Sequence, residues 1–179
     1  MSMRLSEFVW QRDVSDLIKP FKFDLCKYMG EHPDWLKSDG PDPEEFYLPK
    51  DHELTTKVYD FIHEVIPTFM FETKSWPWQY DNLHSKDYCL KQYTFDKDYT
   101  ATRIDTDTKE TYNRMVAFVL FLSDQEDGGE YEFEYSGLKV KPEEGKLLMF
   151  PCNYLFPYRV HTPKSHDLTI LTGYIYNNF

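Results

Sequence analysis

Arg114-Met-Val-Ala-Phe-Val-Leu-Phe-Leu122 runs into Ser123-Asp124, and Val116 to Leu122 carries no polar side chain. A short apolar run bounded by polar residues reads as a central strand buried on both faces. Beyond it, Asp127-Gly-Gly-Glu130 supplies turn chemistry. Tyr131, Phe133 and Tyr135 then alternate with Glu130, Glu132 and Glu134, the period of a strand with one buried and one solvated face. Ser136-Gly137 and Glu143-Glu144-Gly145 read as hairpin turns. Gly145-Lys-Leu-Leu-Met-Phe-Pro151 gives a further strand over Leu147 to Phe150, and Leu168 to Tyr176 another.

Working upstream, Tyr88 to Tyr93 has strand character. Before it the period lengthens. Leu54, Val58, Phe61, Ile62, Val65, Ile66 and Phe69 form one helical stripe, with Asp51 as candidate N-cap and Pro67 near the end. Leu17, Ile18, Phe21, Leu25 and Tyr28 form another, with Pro20 expected in or before the first turn and Gly30 as the stop. Residues 31–50 hold His32-Pro33, Gly40-Pro41, Asp42-Pro43 and Leu48-Pro49, so loop is expected there. Phe8-Val-Trp10 reads as a short strand. Helices near 17–29 and 52–69 followed by short strands predict an α+β fold: a two-sheet jelly roll with the N-terminal helices packed on its outside. No linker or repeat divides the chain, so 1–179 is expected to be a single domain, with a helical part over 1–87 and a jelly-roll core over 88–179.

A formal net charge of -11 argues against general nucleic-acid binding, which needs a basic surface. No apolar run is long enough for a membrane-spanning helix, and Met-Ser-Met-Arg-Leu-Ser-Glu lacks the apolar core of a secretory signal. The expectation is a cytoplasmic protein. Cys26, Cys89 and Cys152 are odd in number and widely spaced, which predicts reduced, mostly buried thiols. Trp76-Pro-Trp-Gln-Tyr80 is a dense aromatic cluster that either packs the joint between helix and sheet or offers a partner an anchor. His52 and His63 are expected on the polar face of the second helix. His32 and His84 are expected in surface loops.

The phrases Phe121-Leu-Ser-Asp124, Asp127-Gly-Gly-Glu130 and Phe150-Pro-Cys-Asn-Tyr-Leu-Phe-Pro157 resemble the core of the iron(II)/2-oxoglutarate oxygenases. The prolyl 4-hydroxylase-like branch is nearest, and many bacteriophage proteins share the pattern. The resemblance covers roughly residues 88–176 and implies a double-stranded β-helix, the cupin-like jelly roll. In that family a His-x-Asp pair and a distal His hold iron, and a downstream base pairs with 2-oxoglutarate. Gln92-Tyr93 resembles the strand before the His-x-Asp, which places the pair on Arg103-Ile-Asp105. The distal position falls on Tyr158, and the base falls where Asp167-Leu-Thr169 stands. The carboxylate is therefore kept, while Arg103 has no lone pair for a metal and Asp167 would repel a dicarboxylate.

These departures lead to an expected pseudoenzyme: a non-catalytic structural or protein-binding subunit, of a phage particle among its candidate settings, working with a protein partner or as a homo-oligomer. Arg103 is expected to pair with Asp105 where the metal would sit, with no bound metal or cofactor. The alternative is an active hydroxylase using iron(II) and 2-oxoglutarate with non-standard ligands. Asp105, Asp107 and His161 form the weak substitute metal set, and Arg159 or Lys164 the substitute anion clamp. A third class, a small-molecule binder without redox chemistry, would use the same pocket.

Overall fold

A computed structural model describes residues 4–32, 40–74 and 83–177 of the chain. The Trp76–Tyr80 cluster lies outside them. A 3-10 turn over Leu5–Phe8 leads into β1, Trp10–Asp13, so the first strand starts two residues later than Phe8-Val-Trp10 suggests. Helix α1 spans Ser15–Glu31 and runs through both of its expected limits, Pro20 and Gly30. Its start is held by Asp13, whose carboxylate accepts from the Ser15 backbone N–H at 2.9 Å and its hydroxyl at 2.6 Å. Pro20, the sixth helical residue, withholds one N–H. Ile18, Phe21 and Leu25 bury the helix face on either side of it, and packing of that kind overrides a local break. Leu17 is 42% exposed and falls outside the stripe.

Within the expected loop 31–50, β2 (Glu44–Tyr47) pairs antiparallel with β3 (Leu83–Tyr93). It is a four-residue acidic edge strand, a composition that hides strand character because charge protects an edge. Helix α2 spans Glu53–Glu72 with Pro67 inside it, and its N-cap is His52 rather than Asp51. The His52 Nδ1 accepts from the Leu54 N–H at 3.2 Å, the bond that an aspartate cap would otherwise make. None of the described helices is long and apolar enough to cross a membrane.

The remaining strands are β4 (Thr100–Arg103), β5 (Arg114–Phe121), β6 (Tyr131–Phe133), β7 (Leu138–Val140), β8 (Lys146–Pro151), β9 (Tyr158–Val160) and β10 (Leu168–Asn177). They form two antiparallel sheets, ordered β1-β8-β5-β10-β3-β2 and β4-β9-β6-β7. The first sheet thus draws edge strands from the N-terminal part, and β3 begins before residue 88. His84 lies in β3, stacked on Tyr176, not in a surface loop. Tyr135 is 64% exposed beyond the end of β6, because the chain already turns at Ser136-Gly137 to form the β6–β7 hairpin. The Glu143–Gly145 turn is not a hairpin: it carries the chain from β7 in one sheet to β8 in the other. There Gly145 has φ +80°, and a Cβ would meet the Ser15 Oγ at 2.0 Å, so the turn and the start of α1 fit only with glycine.

The central strands separate two cores. Phe118, Leu120 and Leu122 join Leu147, Met149, Leu171 and the buried faces of both helices. Ala117, Val119 and Phe121 join Leu148, Phe150, Ile170, Tyr131 and Phe133 between the sheets. A run that is apolar on both faces is what a strand between two cores requires.

Candidate functional site

A cavity of about 240 Å³ opens between the sheets. Its floor belongs to the inter-sheet core: Ala117, Val119 and Phe150 line it. Its polar wall comes from four strands: Lys91 and Tyr93 on β3, Thr100 and Arg103 on β4, Tyr158 on β9 and Tyr174 on β10. Glu45 on β2 and Asp42 just before it stand at one side.

The Cα register sets Arg103 opposite Tyr158. Asp105 follows two residues beyond the end of β4, in a bend, and is 2% exposed. Its Oδ1 accepts from the hydroxyls of Tyr158 at 3.1 Å and Tyr174 at 3.3 Å. The Arg103 Nε lies 3.7 Å from the same oxygen, close enough for an ion pair and too far for a hydrogen bond. Arg114 lies over the Tyr174 ring, 3.8 Å from its centre. It also donates to the backbone carbonyl of Asp105 at 3.3 Å and to the Tyr176 hydroxyl at 3.0 Å. Tyr158 is packed flat on Tyr131 and edge-on to Phe150.

Burial pushes the Asp105 carboxyl above the usual carboxylate range, and Arg103 and the Tyr158 hydroxyl work against that push. Burial and the neighbouring Asp105 hold the Tyr158 phenol well above its ordinary value, so it keeps its proton and donates. Lys91 is burdened by burial, yet Tyr93 and the Glu45 carboxylate raise its pKa overall. The Lys91 Nζ donates to Glu45 at 2.6 Å, and the Tyr47 hydroxyl donates to the other Glu45 oxygen at 3.2 Å.

Other residues read from the sequence are not brought here. Asp107 is exposed and, like Asp105, lies past the end of β4, so the two carboxylates do not share a strand face. His161 follows β9, and its Nε2 meets Glu132 at 2.5 Å. Arg159 and Lys139 bind the same Glu132 carboxylate, so Arg159 is committed there. Lys164 pairs with Asp96. Asp167 does not line the cavity: its Oδ1 accepts from the Phe95 N–H at 2.8 Å, so it caps a turn and exerts no direct repulsion within the pocket. Among the described residues, no three His, Cys, Asp or Glu side chains are grouped to hold a metal.

Lys91, Glu45, Tyr174 and Arg114 were not singled out by sequence reasoning. For Lys91 a signal existed: it stands two residues before Tyr93 on one strand, so both side chains share the cavity face. Glu45 had none, since β2 itself is not legible. Tyr174 is hidden in an apolar run whose two faces look alike.

The profile of the 2OG-Fe(II) oxygenase superfamily matches residues 83–176. Curated proteins gave no match. Among solved structures, a viral collagen prolyl hydroxylase of Paramecium bursaria Chlorella virus-1, solved with 2OG, superposes with a TM-score of 0.71 at 18% identity, covering 96% of this chain and 97% of that one. A Pseudomonas putida prolyl-4-hydroxylase gives 0.70 at 15% identity, covering 97% and 95%. A Trichoplax adhaerens prolyl hydroxylase, solved with a peptide fragment of the hypoxia inducible factor oxygen degradation domain, gives 0.68 at 11% identity, covering 96% and 84%. At these identities the likeness is one of fold.

Proposed function

Since the chain belongs to the 2OG-Fe(II) oxygenase superfamily, we propose that it is a non-catalytic member, using the family's double-stranded β-helix as a structural or protein-binding subunit of a phage particle or another assembly. The observation that supports this is the Arg103 guanidinium 3.7 Å from the buried Asp105 carboxylate. An iron(II) ion does not fit that set. Guanidinium has no lone pair to give, and a fixed cation already faces the buried Asp105 carboxylate. Tyr158 spends its hydroxyl proton on the same carboxylate. The Asp105 carboxylate is instead partnered from within the protein, by two phenols and the guanidinium, as a buried charge requires.

The family match also supports the opposite reading, an active iron(II)/2-oxoglutarate oxygenase with non-standard ligands. One preparation separates the two. Purified protein supplied anaerobically with iron(II) should retain no stoichiometric metal by elemental analysis, and on adding oxygen and 2-oxoglutarate it should release no succinate above a protein-free control. Stoichiometric iron or sustained succinate release would sink the non-catalytic reading. Sedimentation of the same sample reads the subunit role, which expects an oligomer or a partner-bound species.

A further inference from the structure

We propose that a groove on the outer, helix-bearing side of the six-stranded sheet binds an aromatic carboxylate. The ring system lies among Tyr47, Tyr59 and Tyr88, and the anionic head meets Lys50 and Lys86. This goes beyond the non-catalytic reading and does not depend on it.

The groove encloses about 500 Å³ and shares no lining residue with the cavity between the sheets. Tyr59 comes from α2, Tyr47 and Leu48 from the end of β2, and Tyr88 from β3. Leu48 and Tyr88 belong to the helix-facing core. The chain path accounts for the opening. The Leu48 N–H donates to the Tyr88 carbonyl at 2.9 Å, extending the β2–β3 ladder by one bond. The Pro49–His52 turn then carries the chain into α2, and the groove lies between that helix and β3.

Several hydroxyls of the walls are taken up within the protein. Those of Ser85 and Tyr88 share a bond at 2.5 Å, and Tyr88 also donates to the Ser85 carbonyl at 3.1 Å. Tyr47 donates to Glu45 at 3.2 Å, and Thr55 to the Pro49 carbonyl at 2.7 Å. Ring surface is what they leave for a ligand. Tyr47 is 51% exposed and Tyr59 39%. Tyr59 is stacked on His63 with ring centres 4.0 Å apart, which fixes its plane while part of its surface stays bare. Two partly bare rings with the buried Tyr88 beside them suit a flat apolar body. The volume falls within the range of small-molecule sites.

Charge sets the head group. Lys50 and Lys86 are both exposed in the lining. Lys50 has no ion-pair partner among the described residues. The Lys86 Nζ rests over the Tyr176 ring, 4.1 Å from its centre, a contact that brings it no counter-ion. The carboxylate in the lining, Asp87, already accepts from the Tyr176 hydroxyl and lies 3.8 Å from the Arg114 guanidinium. A chain of net charge -11 thus carries a local excess of positive charge here, which an anion complements. Asp87 next to Lys86 disfavours a second negative charge, so a carboxylate fits better than a phosphate.

Isothermal titration calorimetry of the full chain with naphthoate tests this. Naphthamide serves as the isosteric neutral control and naphthyl phosphate as the doubly charged one. Naphthoate should bind more tightly than either. Lys50→Met combined with Lys86→Met should weaken naphthoate by about 10- to 100-fold, the loss of two partly solvated charge-assisted contacts, and leave naphthamide unchanged. Tyr59→Ala should weaken acid and amide alike, because it removes contact with the body. Lys19→Met, which deletes an exposed α1 ammonium paired with Asp16, should alter neither. All four side chains are exposed, so these variants are expected to fold, which circular dichroism checks. The proposal is overturned by absent naphthoate binding, by naphthamide binding equally, or by naphthyl phosphate binding more tightly. It is equally overturned if the paired lysine variant or Tyr59→Ala binds naphthoate as the parent does, or if Lys19→Met weakens it as much. The iron and succinate measurements are independent of every one of these outcomes, so failure here leaves the non-catalytic reading standing.

Discussion

Arg103 lies 3.7 Å from the buried Asp105 carboxylate, where it supplies a charge and has no lone pair to give. Burial raises the Asp105 pKa, and the guanidinium is the first influence pulling it back. Arg103→Ala therefore removes the main counterweight. The cost lies between the extremes known for ion pairs, about 0–1 kcal/mol when solvated and about 3–5 kcal/mol when one partner of a buried pair is deleted. Asp105 is 2% exposed while the Arg103 side chain is 45% exposed, so about 1–3 kcal/mol is expected near neutral pH. The sign with pH follows from linkage. A carboxyl whose folded pKa is raised favours the fold in its protonated form, fully below the unfolded value, and loses that contribution as pH rises through the folded pKa. Without Arg103 the folded pKa climbs further. The variant should thus lie closest to the parent at acidic pH and fall away from it as pH rises. Urea unfolding of both proteins on the acid side and at neutral pH checks this. A deficit that is the same at both would show that Arg103 acts by packing rather than by charge.

At the scale of elements, the pairing of β4 with β9 decides whether the ligand positions have been placed correctly. The placement of ligand positions on Arg103-Ile-Asp105 and Tyr158 rests on the family resemblance, counted from Tyr93 and from the Phe156-Pro157 phrase. The strands carrying them were not legible. β4 and β9 have four and three residues, too short for a period to show, and their pairing is a long-range contact. The same limit hides that Asp105 lies in the bend beyond β4 rather than within a strand. Even so, the register sets Arg103 and Tyr158 directly opposite each other. Arg103→His combined with Tyr158→His should therefore present two imidazoles beside Asp105. Loss of the guanidinium also frees the carboxylate for a cation. Calorimetry with zinc(II) or manganese(II) should show binding by the double variant and none by the parent. Oxygenase turnover should stay absent, since the stretch expected to hold a base, Asp167-Leu-Thr169 at the start of β10, carries none, and Asp167 caps a turn. A folded double variant that binds neither metal would mean the two side chains do not converge on Asp105.

At the scale of the molecule, the helical and strand periods carry the layering in the sequence itself. The Val116–Leu122 run demanded cover on both sides, and the helical stripes of α1 and α2 needed a surface to bury. What composition could not reveal was how far the N-terminal part invades the sheet: β1 and β2 are four residues each and polar at most positions. Their pairing to β8 and β3, and the single core shared by α1, α2 and the outer face of β5, imply that residues 1–87 do not fold apart from the rest. Cooperative unfolding follows, because exposing the helix faces also strips one side of the central strand. Leu120 is the residue to probe. It is fully buried on the helix-facing side, away from the cavity. Leu120→Ala should cost about 2–5 kcal/mol, from lost burial and the void left behind. Because both layers depend on that strand, the far-UV helical signal and the near-UV aromatic signal should move together to lower urea concentration, in one transition with an unchanged slope. Two separated transitions, with only the helical signal displaced, would instead make the N-terminal helices an independent unit resting on a jelly roll that stands without them.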